Sequence, residues 1–484
     1  MPEASGERLT RVVLGALWPA FCLVLVHGFP PCVDLPAHAA QLQSMVELLR
    51  GDPAVAAHYE LHFPIGYDLQ AWLALPVAFL FSGAVAVRLV LWVTMVIYPW
   101  SLLALARAFG RPAWVALLGL PLVFNFSYWY GLLPGLLAQP LSFFALAAYV
   151  RWVEGRAWRW ALAVNLLAAA TFLTHLLAFA VLVLGLLAIT LARLCEPPPP
   201  RAAVLKDSFF RLAVALSVPV LLSIPRALTL ANRAVTAGDW PATEYALAAH
   251  VNWFFKYTAP EGKLSVVAPL VVTGLFALLF VVRRKEEPRA PLALFVCWAL
   301  LYAVTPKTLS GIFLVCTRLA VLVAGAALFL ADPRRFPRWL RGALAALTVL
   351  TLAEAATFHW RFSRAIEGLE AVIATPPKGP HGYVSLEGRQ ILGSGHVYLD
   401  HLGQWWTGTW GGVGHNFFAD ADHHAVRFRP GAELPAELWA LTPEVVAPFA
   451  VVLIFGGGER LPACFDGWDV TASAGKWRKV TRRK

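Results

Sequence analysis

Three stretches of this chain carry no Asp, Glu, Lys or Arg at all: Pro112–Val150, Trp160–Ala192 and Leu264–Val282. A helix needs about 20 consecutive apolar residues to cross the hydrocarbon core of a bilayer, and each stretch reaches or nearly reaches that length. Only 14% of the residues are charged and 59% are apolar, against about 25% charged in an ordinary soluble domain. A soluble globule, a disulfide scaffold and a disordered chain are all excluded. The pattern predicts an all-α polytopic membrane protein.

The net charge of +11 calls for no nucleic-acid partner, because basic residues gather in the cytoplasmic loops of membrane proteins. The clusters are Arg8/Arg11, Arg107/Arg111, Arg151/Arg156/Arg159, Arg193 to Arg211 around Pro197–Pro200, Arg283/Arg284/Lys285/Arg289, and Arg334/Arg335/Arg338/Arg341. If all face the cytoplasm, each apolar stretch between two clusters crosses an even number of times. Hairpins then turn near Asn125–Pro134, near Thr174-His175, over Leu230–Lys263, and near Thr305–Gly311. A retained first helix over Val12–Pro30 and a last one over Gly342–Phe358 bring the count to about 11. Leu69–Val87 is read as a re-entrant or interfacial hairpin broken at Pro76 and at Ser82-Gly83, with the next helix running over Leu89–Ala106. The six cysteines show no C-x-x-C spacing, which argues against a metal or redox role.

After about Ser363 the composition shifts toward Gly, Pro, His and Trp. Two domains are expected: a transmembrane domain over 1–362, with a first extracytoplasmic loop over 31–88, and a small α+β extracytoplasmic domain over 363–484. Tyr383–Leu386 and Phe449–Phe455 read as its strands.

This threading collects the unusual polar residues on the outer face. Asp34 stands four residues past the first helix, with His38 one turn on, before an amphipathic helix over 36–50 whose apolar face is Leu42, Met45, Val46 and Leu49. An acid there either caps the helix or acts as a general base on an acceptor hydroxyl or amine. His38, Glu60, His62, Tyr128 and His175 are substrate-binding candidates; solvated loop and turn positions are the plainer reading for Glu60, His62 and His175. Arg318 lies deep in an apolar run, where a charge is costly and marks a functional position. With Lys307 it is a candidate clamp on a lipid phosphate. The Asp420–His424 cluster has no metal-ligand spacing, and Trp405-Trp406 and Trp410 read as core aromatics or a sugar-stacking platform.

A first helix running into a loop with an early Asp, the Pro64–Leu69 stretch (PIGYDL), and an outer C-terminal segment ending in Gly-Lys-Trp-Arg-Lys together resemble the GT-C superfamily of integral-membrane glycosyltransferases. The bacterial lipid-linked-sugar transferases and the protein O-mannosyltransferases share that layout. The resemblance covers roughly residues 10–360 and is one of layout. A second acid beside the early Asp, frequent in such families, is absent here, since Val33 and Leu35 flank Asp34. It implies an inverting transfer of a hexosyl or pentosyl group from a polyprenyl-phosphate donor to an envelope acceptor, at the outer face of a bacterial inner membrane. Asp34 would be the base, and Arg318 and Lys307 would hold the donor phosphate. No cofactor is implied; a divalent metal would be compatible, but no residue pattern requires one. Partners would be the lipid-linked sugar, membrane lipids and an acceptor. The competing class is a transporter or assembly factor for an envelope lipid or polysaccharide. Such a protein would carry polar groups near mid-membrane, where this sequence is nearly uncharged.

Overall fold

The protein is described from a computed structural model covering residues 3–62, 69–155, 157–195, 202–236, 287–306, 316–392, 397–414, 425–434, 441–458 and 460–483. Among the described residues five helices are long and apolar enough to cross a membrane: Gly6–Val26, Gly83–Ala108, Leu133–Gly155, Leu176–Leu194 and Arg338–Ala365. Shorter apolar helices occur at Leu69–Leu80, Val115–Trp129, Arg289–Val304 and Thr317–Ala327. The chain is a helical, multi-pass membrane protein with a small strand-bearing C-terminal region.

Several expected boundaries appear. Helix Trp158–Thr174 hands over to helix Leu176–Leu194 at His175. Helix Leu69–Leu80 ends just before Ser82. Its 12 residues rise about 18 Å at 1.5 Å each, well short of the ~30 Å hydrocarbon core. Two details differ from expectation. Pro76 lies inside that helix and does not break it. The next helix starts at Gly83, not near Arg88, because Ser82 Oγ accepts the Val85 N–H and Gln43 Oε1 accepts the Gly83 N–H, meeting donors that a new helix leaves open. The Leu230–Lys263 turn, Pro197–Pro200 and Asp420–His424 lie wholly or mostly outside the described residues.

The chain forms two compact units. The first comprises Met1–Cys22, Thr94–Tyr128 and Pro134–Ala355. Helix Leu176–Leu194 packs on Arg289–Val304, and that helix on Thr317–Ala327. Small residues permit the close approach: a Cβ on Gly325 would strike the Phe143 ring, and one on Gly185 would press on Trp298. Trp298 donates its indole N–H to the Val181 carbonyl, so a buried aromatic keeps its polar atom satisfied.

The second unit comprises Leu23–Val93, Trp129–Leu133 and Ala356–Lys484. The first loop and the C-terminal segment therefore build one body. Strand β1 (Tyr59–Leu61) pairs antiparallel with β3 (Val426–Phe428). A four-stranded sheet has the order β2-β4-β6-β5, where β2 is His381–Ser385, β4 Val451–Phe455, β5 Trp468–Ala474 and β6 Trp477–Arg482. β2 and β4 are parallel, and the other pairs are antiparallel. β2 and β4 fall where Tyr383–Leu386 and Phe449–Phe455 were read as strands. Every residue of β4 is buried, so its apolar run is continuous, not alternating, as a strand covered on both faces requires.

Helix Leu35–Arg50 is the spine of this unit. Leu42, Met45 and Val46 are buried as expected, but so is almost everything from Leu35 to Val46, while Leu49 is exposed. It is enclosed rather than amphipathic, because helices Leu69–Leu80 and Gln404–Trp410 both lie against it. The seat for the latter is made of small residues: a Cβ on Gly408 would strike Ala39. Trp405 and Trp406 are fully buried, and the Trp406 and Trp410 indoles donate to the Thr375 and Ile373 carbonyls. They are core and tethering residues, and no platform forms at Trp405-Trp406. Gly411 and Gly412 follow at positive φ; the Glu47 carboxylate occupies the space a Cβ on Gly411 would need and accepts the Gly412 N–H. Burial raises the Glu47 pKa.

Candidate functional site

Asp34 occupies the N-cap position of helix Leu35–Arg50, yet its carboxylate makes no capping hydrogen bond. Its backbone is fixed from another direction. Val33 and Asp34 donate their N–H groups to the Trp129 and Tyr130 carbonyls. Gly131 follows at φ +74, and a Cβ there would stand 2.7 Å from the Asp34 nitrogen. Only glycine permits both that conformation and that approach. With its main chain held, the Asp34 side chain points toward His401, whose Nε2 lies 3.6 Å from Oδ1. Both side chains keep a little solvent contact, 14% for Asp34 and 12% for His401, so a proton can enter and leave.

The surroundings are rigid. Trp129 is buried edge-on to Phe358 and near His359. Tyr398 packs on Phe358 and Phe362. Asp400, beside His401, receives a two-pronged contact from Arg389. Arg88 lies over the Trp405 ring and donates to the Gly28 carbonyl. One turn beyond Asp34, His38 is buried, and burial pulls its pKa down to about 3. It is a neutral core histidine lining a small cavity with Gln41, Gln70 and Leu133.

Glu60 and His62 serve the β1–β3 ladder. Glu60 pairs with Arg427 at 2.6 Å, directly across the strands, and His62 donates its backbone N–H to Ala425. Tyr128 is fully buried in the first unit, edge-on to Phe124.

His175 is buried too, not wet. It caps helix Leu176–Leu194, its Nδ1 accepting the Ala178 N–H. Its Nε2 lies 3.2 Å from Arg318 Nη1. A neutral imidazole has one acceptor nitrogen, so the Ala178 amide and the Arg318 guanidinium compete for it. Arg318 is the second residue of helix Thr317–Ala327. Its cation stands at a helix start, among N–H groups that favour an anion. Nearby, Asn125 donates to the Gln139 and Leu122 carbonyl oxygens, and Gln139 to Ser127 Oγ. Lys307 lies outside the described residues. Among the described residues no group of three or more His, Cys, Asp and Glu could hold a metal ion.

Two polar groupings thus emerge: Asp34–His401 in the second unit and His175–Arg318 in the first. Sequence reading found three of these four residues. It missed His401, which has no local signature, and the role of Gly131, for which the Tyr-Gly-Leu-Leu-Pro turn (130–134) was the available signal.

A bundle of membrane-length helices, an early acid after the first of them, and a strand-bearing C-terminal segment joined to the first loop make up the layout on which the sequence's resemblance to the GT-C superfamily rests. The solved structures it matches include ArnT from Cupriavidus metallidurans bound to undecaprenyl phosphate and the same protein in the apo state. Each superposes with a TM-score of 0.54 over 97% of this chain and 97% of the other, at 14% sequence identity. No family model matches the sequence, and no curated protein does.

Proposed function

We propose that this chain is a membrane glycosyltransferase that moves a sugar from a polyprenyl-phosphate donor to an envelope acceptor, at the outer face of a bacterial inner membrane. The observation that carries the reading is Asp34: a carboxylate at an N-cap position that does not cap, fixed through its backbone and facing a histidine. The likeness in fold to ArnT, which binds undecaprenyl phosphate in one of its structures, supports the class of donor.

In this reading Asp34 takes the proton from the acceptor hydroxyl or amine as that atom attacks the anomeric carbon. The new glycosidic bond forms as the sugar–phosphate C–O bond breaks, with inversion, and polyprenyl phosphate leaves with the bonding electrons. His401 acts as a positioning residue that holds the carboxylate in one orientation. Arg318, with Lys307, neutralises the leaving phosphate, as a guanidinium does well. That supply of charge makes a divalent metal unnecessary. Whether the sugar is a hexose or a pentose is set by pocket contacts with the donor.

The test is transfer of radiolabel from a panel of polyprenyl-phosphate sugars in membranes containing the full chain. Asp34→Asn is expected to lower turnover by at least about a hundredfold, the lower bound for loss of a general base, with unchanged thermal stability. Equal turnover by the two proteins would overturn the assignment. Donor binding without turnover by either would point to a non-catalytic lipid-linked-sugar binder.

A further inference from the structure

A groove of about 990 Å³ opens in the first unit, at the end of the helices that carries Arg107, Arg111, Arg334, Arg338 and Arg341. All five arginines line it, against a single lining acid, Glu7. Below them the wall is apolar: Leu9, Val13, Trp114 and Leu117 on one side, Ala345 and Leu352 on helix Arg338–Ala365. The lining positions 338, 341, 345, 349 and 352 recur every three or four residues and so form one stripe of that helix. From Arg338 to Leu352 the stripe descends about 21 Å, past the mid-depth of a ~30 Å hydrocarbon core.

The arginines are not equally occupied. Arg107 is paired with Glu7, and Arg111 is buried against Glu287 and the Phe329 carbonyl. Among the described residues no acid lies within ion-pair distance of Arg338 or Arg341. Arg341 Nε is buried with no hydrogen-bond partner. A buried donor of that kind costs free energy unless something accepts from it. A buried Arg341 donor with no partner and the exposed Arg338 guanidinium above a chain-length apolar slot are complementary to one chemistry: a phosphate joined to a long hydrocarbon.

We propose that this groove binds an anionic phospholipid, its phosphodiester held by Arg338 and Arg341 and one acyl chain lying along the 338–352 stripe. Neither grouping of the proposed glycosyl transfer lines this groove, so the site is separate from that reading. Bound there, the lipid ties the N-terminal helix and helix Arg338–Ala365 together through the slot they share.

The full chain, purified and delipidated in detergent, would be offered phosphatidylglycerol or phosphatidylcholine and the retained lipid counted by native mass spectrometry. Phosphatidylglycerol is expected to be retained at least about tenfold more strongly, in line with two charge-assisted contacts. Arg338→Gln with Arg341→Gln should abolish that preference and leave phosphatidylcholine retention unchanged. If that pair misfolds, Arg338→Gln alone, at an exposed position, should still reduce the preference severalfold. Ala345→Trp, which fills the slot, should displace phosphatidylglycerol with all arginines present. Equal retention of the two lipids, an unaltered preference in the arginine variants, or displacement of phosphatidylglycerol by equimolar polyprenyl phosphate or by inorganic phosphate would each overturn the proposal.

Discussion

The Asp34–His401 and His175–Arg318 groupings are both a charged side chain facing a histidine, yet they are built in opposite ways. Asp34 is held by its main chain, through Gly131 and the Trp129 and Tyr130 carbonyls, and its carboxylate faces His401 at 3.6 Å with some solvent contact. In the other grouping Arg318 sits in a helix turn and His175 is the extended residue between two helices, its Nδ1 accepting the Ala178 N–H. The first arrangement suits a group that must exchange a proton. The second suits a cation that binds an anion, placed as it is at a helix start among N–H groups that favour one. One grouping should therefore govern the chemical step and the other the binding of donor.

The widest separation should appear in kinetics. Asp34→Asn is expected to lower kcat by about a hundredfold or more, while Arg318→Gln should act chiefly on the donor KM, by about tenfold, as befits loss of a charge-assisted hydrogen bond. If both variants changed only KM, the division of labour would be wrong. Gly131→Ala should follow, since it forces a Cβ into the Asp34 main chain at a positive φ. A loss of about 2 kcal/mol or more is expected, read as a lower melting temperature accompanied by reduced transfer. Gly135→Ala in the first unit is the control, because a Cβ there meets nothing nearer than 3.6 Å.

Acid should weaken the second unit next. Burial holds the folded-state pKa of His38 at about 3, below the ordinary histidine value of 6.5. The unfolded chain therefore binds the extra proton between those values, so stability is complete above pH 6.5 and falls as pH drops toward 3. The slope is at most about 1.4 kcal/mol per pH unit. Melting temperatures from pH 7.5 to 5 should show it, and His38→Phe should flatten the curve. The smallest effect belongs to Glu60 and Arg427. Both are partly exposed, and a double-mutant cycle with Glu60→Gln and Arg427→Gln should give a coupling of about 0.2–1 kcal/mol. A larger coupling, or loss of transfer on removing Glu60, would restore Glu60 as a substrate contact.

What could be read from the sequence follows the range of the interaction that decides each feature. The long helices are local, determined by hydropathy; the break at Ser82-Gly83 is partly so, with the Ser82 hydroxyl cap near in sequence and the Gln43 acceptor 40 residues away. Asp34 was visible because an acid before Leu-Pro-Ala-His sits where a helix begins. Its failure to cap was not visible, since that depends on the Trp129–Gly131 turn and on His401, both far away in the chain. The enclosure of helix Leu35–Arg50 and the burial of His175 were missed for the same reason. Polar residues such as Gln41, Gln43 and Ser44 look like a wet face until the segments over 69–80, 83–87 and 404–410 close on this helix. In the Trp410-Gly-Gly motif, Gly411 makes room for the Glu47 carboxylate and Gly412 donates its N–H to it.

The β1–β3 ladder fixes an order of events in synthesis. Glu60 and Arg427 are 367 residues apart, so the loop that presents Asp34 leaves the ribosome long before the strand that completes it. Until then β1 is an unpaired edge, open to wrong partners, and closing so distant a contact is slow. A chain released early would have its membrane helices but neither β3 nor His401 beside the acid. In the proposed transferase reading, turnover has to wait until translation has nearly ended, and truncation beyond the last helix should inactivate the protein without preventing its insertion.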